Sequence, residues 1–244
     1  MGRESSAIAS KFRFLKGTAF HPQWFAHRDE ARLFGQIGEI ARGTVLDVGC
    51  SDQRVRHYLS DRVQYLGFDY LQTASEWYGT RPAVYGDAHA LPFAGASVDT
   101  VLLLDVLEHL RSPEQCLHEI NRVLRPGGTL IIKVPFMYPI HDAPLDFQRW
   151  TRFGLAQLGE KCGFHAQQTA QSGHPVQTAA LVANIAWSKT ILNWFKARNP
   201  LAILGLLLPV CVFAANVLGF IASALSPADD MMPHGYFWIF RKPA

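Results

Sequence analysis

Short apolar runs recur through the first part of the chain, most of them ending at a glycine or an aspartate. Runs of this length that are rich in β-branched residues and end at turn residues predict buried strands. Residues 98–104 are apolar at nearly every position, which is typical of a central parallel strand covered on both faces. Helical spacing between the runs predicts a doubly wound α/β sheet. The predicted strands are residues 44–48, 63–70, 83–85, 98–104 and 129–134.

The turn after the first predicted strand is the expected ligand site. In open α/β sheets the pocket lies outside the carboxyl ends of the strands, where backbone N–H groups face outward. A dinucleotide would need further glycines at G-x-G-x-x-G spacing. The residues that follow Gly49 are Cys-Ser-Asp-Gln-Arg, so those glycines are missing and Asp52 lies where a phosphate would bind. This pattern argues against NAD and FAD.

Carboxylates near the predicted strand ends favour a cationic nucleoside instead. Asp47 and Asp52 would lower the energy of a positive centre in a partly dry pocket. Asp69 lies about 20 positions after the glycine turn, where a carboxylate accepts the ribose hydroxyls; the alternative is an aspartate that caps the next helix. Asp87 suits an exocyclic amine such as that of adenine. S-adenosylmethionine (SAM) combines these features and is the predicted cofactor.

Six short motifs in a fixed order resemble the class I SAM-dependent methyltransferases of the type 11 group. Each motif alone is weak, whereas six in order over roughly 90 residues make a specific match. The resemblance implies a seven-stranded, mostly parallel sheet with one antiparallel strand. The motifs are VLDVG at 45–49, GFD at 67–69, GDA at 86–88, LPF at 91–93, VLEH at 106–109 and LRPGG at 124–128.

The same resemblance implies how the cofactor is held. The first turn would bind the methionine part, the second strand end the ribose, the third the adenine, and the fourth would form the pocket wall. The family commonly shows D-x-G-C-G-x-G, and here Ser51 and Gln53 replace two glycines, which predicts a slightly different loop path. The predicted cofactor-binding residues are Asp47, Gly49, Ser51, Asp69, Tyr70, Asp87, Ala88, Asp105 and Val106.

A proline-rich and aromatic loop at 135–151 follows the fifth predicted strand and should shape the acceptor site. His141 and Asp142 are the candidate catalytic residues, because a hydroxyl acceptor gains from a general base. The alternative is that both are loop residues satisfied by local hydrogen bonds. Arg149 is expected to brace the loop by pairing with Asp146. The loop resembles those of type 11 methyltransferases that are associated with cell-surface glycan pathways.

Residues 178–226 are dominated by apolar side chains, and 201–225 carry no charge. The segment is long enough to cross a bilayer, which takes about 20 residues. However, residues 235–242 alternate like a closing antiparallel strand, and a single span would leave them on the wrong side of the membrane. A helical hairpin in the membrane interface is therefore predicted. The alternative is a hydrophobic cap buried on the domain or in a dimer interface.

The predicted organisation has four parts: an N-terminal helical cover at 1–41, a SAM-binding core at 42–177, the hydrophobic helical insertion at 178–226 and a closing strand within 227–244. Residues 1–6 have the outline of a myristoylation signal, a pattern that short sequences often match by chance.

Composition excludes several classes of protein. The net charge of +3 is dispersed without a basic run, so nucleic acid is not expected as a partner. Four cysteines without CxxC spacing argue against a zinc site and against a disulfide framework, and they favour a reducing compartment. We expect a cytoplasmic protein, peripheral on the membrane, that binds no metal and that can form oligomers.

The sequence thus predicts a SAM-dependent methyltransferase that methylates oxygen in an amphiphilic or lipid-linked acceptor, such as a glycan precursor, at the membrane surface. Two alternatives stay open: a methyltransferase for a quinone or another hydrophobic small molecule, and a non-catalytic SAM-binding scaffold in a membrane biosynthetic complex.

Overall fold

The computed structural model describes residues 15–244, so the myristoylation pattern and the start of the predicted N-terminal cover lie outside the described residues. The chain forms two compact units. We call Arg32–Phe136, Ile140–Gln171 and Gly235–Ala244 the sheet unit. The helical unit comprises the described part of Met1–Ala31 together with Met137–Pro139 and Ser172–His234.

Seven strands form one sheet in the order β3-β2-β1-β4-β5-β7-β6. The pairs from β3 through β5 are parallel, and β7 runs antiparallel to β5. This confirms the predicted doubly wound, mostly parallel sheet. The strands are β1 Thr44–Val48, β2 Gln64–Asp69, β3 Val84–Tyr85, β4 Val98–Leu104, β5 Leu124–Pro135, β6 His165–Ser172 and β7 Gly235–Arg241.

Helices flank the sheet strands in sequence. The regular helices are α1 Trp24–His27, α2 Glu30–Ile40, α3 Pro113–Val123, α4 Arg152–Lys161, α5 Pro175–Lys196 and α6 Leu208–Leu225. Short 3-10 helices cover Arg54–Tyr58, Leu107–His109 and Pro200–Leu207, and Thr73–Tyr78 forms a π-helical turn.

Two apolar clusters cover the two faces of the sheet. On β4, Val101 and Leu103 belong to one cluster and Leu102 to the other, because successive side chains of a strand point to opposite faces. Ile37 of α2 packs with Leu102, whereas Leu117 of α3 packs with the opposite cluster. The apolar run at residues 101–104 of β4 is therefore the consequence of burial on both sides of the sheet.

Arg54–Tyr58 forms a single 3-10 segment, because the chain turns into β2 at Gln64. One strand boundary differs from the sequence prediction. β5 begins at Leu124 rather than after the double glycine, since Leu124 already pairs with Val98 before an irregularity in the register. The Arg-Pro-Gly-Gly stretch therefore lies inside the strand.

A buried asparagine pair connects the helices of the helical unit. The side chain of Asn184 in α5 donates to Oδ1 of Asn216 in α6 at 2.9 Å, and the Asn216 amide donates to the carbonyl oxygens of Ala19 and His21. Asn216 shares its buried face with Val212 and Gly219, at spacings of three and four residues. A hydrophobic helix before the last strand is thus present, as predicted.

Candidate functional site

The first turn at the end of β1 requires a glycine. Gly49 has a φ of +74°, and a Cβ built on it would lie 2.4 Å from Cγ2 of Val106. An L side chain would therefore be both strained and in collision with the segment after β4. This contact brings two residues of the predicted cofactor set, Gly49 and Val106, against each other.

Asp47 is buried at the end of β1 and accepts a hydrogen bond from the Tyr65 hydroxyl at 2.6 Å. Burial, reinforced by the charges of Asp69 and Asp52, raises the pKa of Asp47 to about 7, and the Tyr65 hydroxyl offsets part of that shift. A carboxylate with such a pKa accepts a positive neighbour readily, because a cation would repay part of the cost of its burial. This environment suits the predicted contact with the ammonium of the methionine part.

Asp69 at the end of β2 organises the loop that follows β1. Its Oδ2 accepts the backbone N–H of Ser51 at 2.9 Å, and its Oδ1 accepts that of Tyr70 at 2.7 Å. Burial raises the pKa of Asp69, and these two N–H bonds work in the opposite direction. The predicted ribose ligand is therefore a fixed group that ties two strand ends together. Its contact with a ribose stays a prediction.

The two residues that replace family glycines keep a backbone conformation that favours glycine. Ser51 has a φ of 44° and Gln53 a φ of 57°, both in the left-handed region. The side-chain amide of Gln53 donates to the carbonyl of Arg81 at 3.2 Å, and the carbonyl of Ser51 accepts the Thr80 hydroxyl at 2.7 Å. These hydrogen bonds thus hold the loop in a left-handed backbone conformation, although neither of the two positions carries a glycine.

The remaining predicted cofactor residues follow β3 and β4. Asp87 is exposed and accepts from the backbone N–H and Nδ1 of His89, and the backbone bond from His89 is the main cause that lowers the pKa of Asp87. Ala88 packs against the core. Asp105 has a φ of 54° and forms an ion pair with Lys133. The predicted set therefore occupies consecutive strand ends at the carboxyl edge, where this fold class binds ligands.

A cluster of ionisable residues lies where the loop after β5 meets the 3-10 helix Leu107–His109. The carboxyl group of Glu108 is fully buried, and neither of its oxygens has a hydrogen-bond partner among residues 15–244. Nε2 of His109 and Nε2 of His141 each lie 3.7 Å from Oε1 of Glu108, which is longer than a hydrogen bond. The rings of the two histidines make an edge contact at 5.0 Å.

The other nitrogen of each histidine ring has a defined partner. Nδ1 of His109 lies 2.9 Å from the carbonyl oxygen of Leu145, and Nδ1 of His141 lies 3.2 Å from Oδ2 of Asp146. Asp146 also accepts the backbone N–H of His141 and a two-pronged contact from Arg149. The predicted bracing of the loop by Arg149 and Asp146 is present.

Charge inside this cluster shifts the pKa values of its members. Burial raises the pKa of Glu108. Burial alone would lower the pKa of His141, but the carboxylates of Glu108, Asp146 and Asp142 outweigh it and raise that pKa. Partial burial alone would raise the pKa of Asp146, but Arg149 and the backbone N–H of His141 outweigh it and lower that pKa to about 2. The cluster therefore concentrates negative charge around the two rings.

Of the two predicted catalytic residues, His141 lies within this cluster and Asp142 lies at its edge. Asp142 is exposed, with Oδ2 3.9 Å from Nε2 of His109. Glu108 was not among the predicted site residues, although a carboxylate directly after two apolar residues in the sequence Val-Leu-Glu-His-Leu was an available signal. Catalytic roles for His141 and Asp142 stay predictions.

A doubly wound sheet whose predicted ligand-binding residues lie at the carboxyl strand ends defines the Rossmann-like class of nucleotide-binding folds. Residues 46–132 match a family model described as a methyltransferase domain. Over 199 residues the chain is 30% identical to a "Probable S-adenosylmethionine-dependent methyltransferase" of Mycolicibacterium smegmatis, covering 75% of this chain and 77% of that protein. The chain belongs to the SAM-dependent methyltransferases of the type 11 group, and SAM is its cofactor.

Two further similarities are more limited. Over 56 residues the chain is 41% identical to the demethylmenaquinone methyltransferase of Renibacterium salmoninarum, covering 23% of each chain. The crystal structure of the [4+2]-cyclase SpnF is similar, with a TM-score of 0.56 and 18% identity, and the match covers 89% of this chain and 82% of that one. At this identity the second similarity shows the fold alone.

Proposed function

We propose that this methyltransferase acts on an amphiphilic or lipid-linked acceptor, such as a glycan precursor, while its helical unit rests in the cytoplasmic face of a membrane. The observation that carries the proposal is the helical segment Pro200–Leu225. The mean hydropathy of its 18-residue window is 2.5, and only 11% of that window is buried within the protein. By length and composition this segment can enter a bilayer.

The exposed side chains of this segment are large and apolar. Leu206 is 74% exposed and Leu218 66% exposed, whereas Val212, Asn216 and Gly219 on the opposite side of α6 are buried. Monomeric soluble proteins seldom expose contiguous apolar surfaces of this kind. The inward face of α6 thus packs against α5, and its outward face has the apolar character of a surface that contacts lipid.

The charges of the hairpin are all positive. Lys189, Lys196 and Arg198 are its only ionised side chains, and no aspartate or glutamate occurs between Lys161 and Asp229. Trp187 and Trp194 lie near these cations in the sequence. Basic and aromatic side chains of this kind favour the headgroup layer of a membrane with anionic lipids.

When bound, SAM would supply an electrophilic methyl group to the acceptor oxygen, with the thioether as leaving group, and the hydroxyl proton would pass to the candidate base His141. Alignment of donor and acceptor supplies much of the rate of such a displacement. The loop at 140–150 supports a hydroxyl acceptor, because it holds the polar cluster of His141 beside the carboxyl strand ends of the same unit.

A quinone is the second candidate acceptor, and the local similarity to a demethylmenaquinone methyltransferase favours it. That similarity covers 23% of the chain and falls short of an assignment. A lipid-linked glycan and a quinone are both membrane-resident, so the membrane surface serves either one. The two acceptors can be distinguished by whether the methylated product becomes water-soluble or stays with the lipid after mild acid treatment.

Vesicle flotation tests the membrane proposal. Wild-type protein should float with vesicles that contain anionic phospholipid, and a Leu206→Glu, Leu218→Glu variant should stay in the bottom fraction. Phe153→Glu in α4 is the matched control, because Phe153 is also an exposed apolar residue, at 72%, but lies in the sheet unit. This mode of binding would be ruled out if the double variant floated as well as the control does, or if neither the wild type nor the control floated.

A further inference from the structure

We infer that Glu108, His109 and His141 bind a divalent first-row transition-metal ion. The three residues each offer one ligand atom, and these atoms all lie within 4.8 Å of one another. Two imidazole nitrogens and one carboxylate form a donor set that suits Zn²⁺, Fe²⁺, Co²⁺ or Mn²⁺. The prediction that the protein binds no metal came from the spacing of the cysteines, which does not bear on a set of two histidines and one carboxylate.

The carboxylate of Glu108 needs a cationic partner. It is fully buried, and within residues 15–244 neither oxygen accepts a hydrogen bond. A buried carboxylate left in this state costs several kcal/mol unless a positive charge compensates it or a proton neutralises it. Both histidine Nε2 atoms lie on the same side of this group, at equal distances of 3.7 Å from Oε1.

The partners of the Nδ1 atoms determine what the Nε2 atoms offer. Since a carbonyl oxygen only accepts, Nδ1 of His109 carries a proton, and Nε2 of the neutral ring is a lone pair. Nδ1 of His141 lies closer to Asp146, at 3.2 Å, than to Nη2 of Arg149, at 3.4 Å, and that Nη2 already donates to Asp146. A neutral His141 therefore also presents a lone pair to Glu108.

Three acceptors that face one another require a shared cation. Histidines that ligate metals commonly donate their second ring N–H to a carboxylate or to a backbone carbonyl, and these are the two arrangements found at His141 and His109. Bonds of about 2.0–2.2 Å to a tetrahedral ion place ligand atoms roughly 3.4 Å apart. The two separations of 3.7 Å from Oε1 of Glu108 need only a small contraction, and the two Nε2 atoms lie within 4.8 Å of each other.

The two imidazoles are partly exposed, which leaves a route of entry for the ion. Asp142, 3.9 Å from Nε2 of His109, is within reach as a further ligand. On the basis of the proposed function, a bound ion would act as a Lewis acid on the acceptor and would lower the pKa of an acceptor hydroxyl coordinated to it. His141 then positions the ion, and no separate side-chain base is needed.

Metal binding can be measured without SAM or an acceptor, so its outcome is independent of the proposed function. Full-length protein without a polyhistidine tag is stripped with a chelator and titrated with Co²⁺, followed by visible absorption and by calorimetry. We expect one Co²⁺ per chain, displaced by Zn²⁺. Glu108→Gln, His109→Ala and His141→Ala should each weaken binding by more than the roughly 10- to 100-fold effect of losing an outer-sphere partner.

The matched control is the surface pair Glu114 and His118, whose Oε1 and Nε2 also lie 3.7 Å apart. His118→Ala should leave Co²⁺ binding unchanged. Circular dichroism and SAM binding identify any variant that fails to fold, and each of the three ligand variants tests the site separately. Absence of stoichiometric Co²⁺ binding by wild type, or wild-type affinity in folded Glu108→Gln, would overturn the inference and leave a proton as the shared cation.

Discussion

Asp69 illustrates how much a single residue does in this site. It is buried and already holds the N–H groups of Ser51 and Tyr70, so it positions the loop as well as the predicted ribose contact. Replacing it leaves at least one of these donors poorly paired, at a cost of about 1–3 kcal/mol. Its two roles lie on the same carboxylate and have to be separated by the choice of substitution.

Asp69→Asn should weaken SAM binding by about tenfold or more, because the amide keeps one acceptor oxygen and loses the charge and the second acceptor. Calorimetric titration with SAM measures the change. Asp99→Asn is the control, since Asp99 is also a strand aspartate that accepts a backbone N–H, at 2.8 Å from Thr44, but lies at the opposite end of β4. Unchanged affinity in folded Asp69→Asn would refute the ribose assignment.

Ser51→Gly should stabilise the protein by about 0.5 kcal/mol. The left-handed conformation costs a non-glycine residue about 1–2 kcal/mol, and part of that gain is lost to the greater freedom of glycine in the unfolded chain. The backbone bonds of Ser51 to Asp69 and Thr80 survive the change. Chemical denaturation measures the difference, and a clear destabilisation would show that the Ser51 side chain contributes an interaction of its own.

Asp47 makes stability depend on pH in a direction opposite to that of most aspartates. Its folded pKa of about 7 lies above its unfolded value, so the folded state holds a proton that the unfolded state has lost. The free energy of unfolding should therefore fall as the pH rises from about 4 to about 7. This contribution is fully present only below the unfolded pKa.

Asp47→Asn should remove this term and flatten the pH profile, since asparagine does not titrate and can still accept from Tyr65. Urea unfolding at pH 5 and at pH 7 measures it: wild type should lose more stability than the variant between the two values. Parallel profiles for the two proteins would contradict the raised pKa.

At the scale of elements, the strands of the sheet were predictable and one buried contact in the helical unit was not. The β1 and β4 runs are recognisable in the sequence because burial on both faces of the sheet requires apolar residues at successive positions. The pairing of Asn184 with Asn216 has no such signal, since two asparagines in apolar helices carry no periodic pattern that identifies them as partners.

Asn216→Ala should destabilise the helical unit by about 2–3 kcal/mol, because Asn184 and the carbonyls of Ala19 and His21 lose their partner in a buried site. Limited proteolysis and thermal unfolding in mild detergent would detect the change. Asn193→Ala, at an exposed position of α5, is the control and should be near neutral. Equal effects of the two substitutions would argue against a structural role for the buried pair.

At the scale of the whole molecule, the strand pattern placed the predicted cofactor residues more completely than it placed the acceptor side. These residues lie at the ends of strands or shortly after them, so their positions follow from the strand pattern. Glu108 and His141 meet only because the loop after β5 docks through bonds such as Phe147 N–H to the Glu108 carbonyl. Contacts between a short 3-10 helix and an irregular loop leave no periodicity in the sequence, and Glu108 was missed for that reason.

The central claim is methyl transfer to a membrane-resident acceptor, and an assay with labelled methyl groups tests it most directly. Membranes are incubated with wild-type protein and SAM carrying a labelled methyl group, and the lipid extract is divided by mild acid into water-soluble saccharide and residual lipid. Asp69→Asn serves as the matched variant with weakened SAM binding, and binding of unlabelled SAM is measured on the same preparations.

We predict label in the lipid extract with wild type, released into the saccharide fraction by acid, and at least several-fold less label with Asp69→Asn at a SAM concentration below the Kd of the variant. Label that stays with residual lipid would favour the quinone acceptor over the glycan precursor. SAM binding without label in any lipid fraction would contradict the claim and support a non-catalytic scaffold.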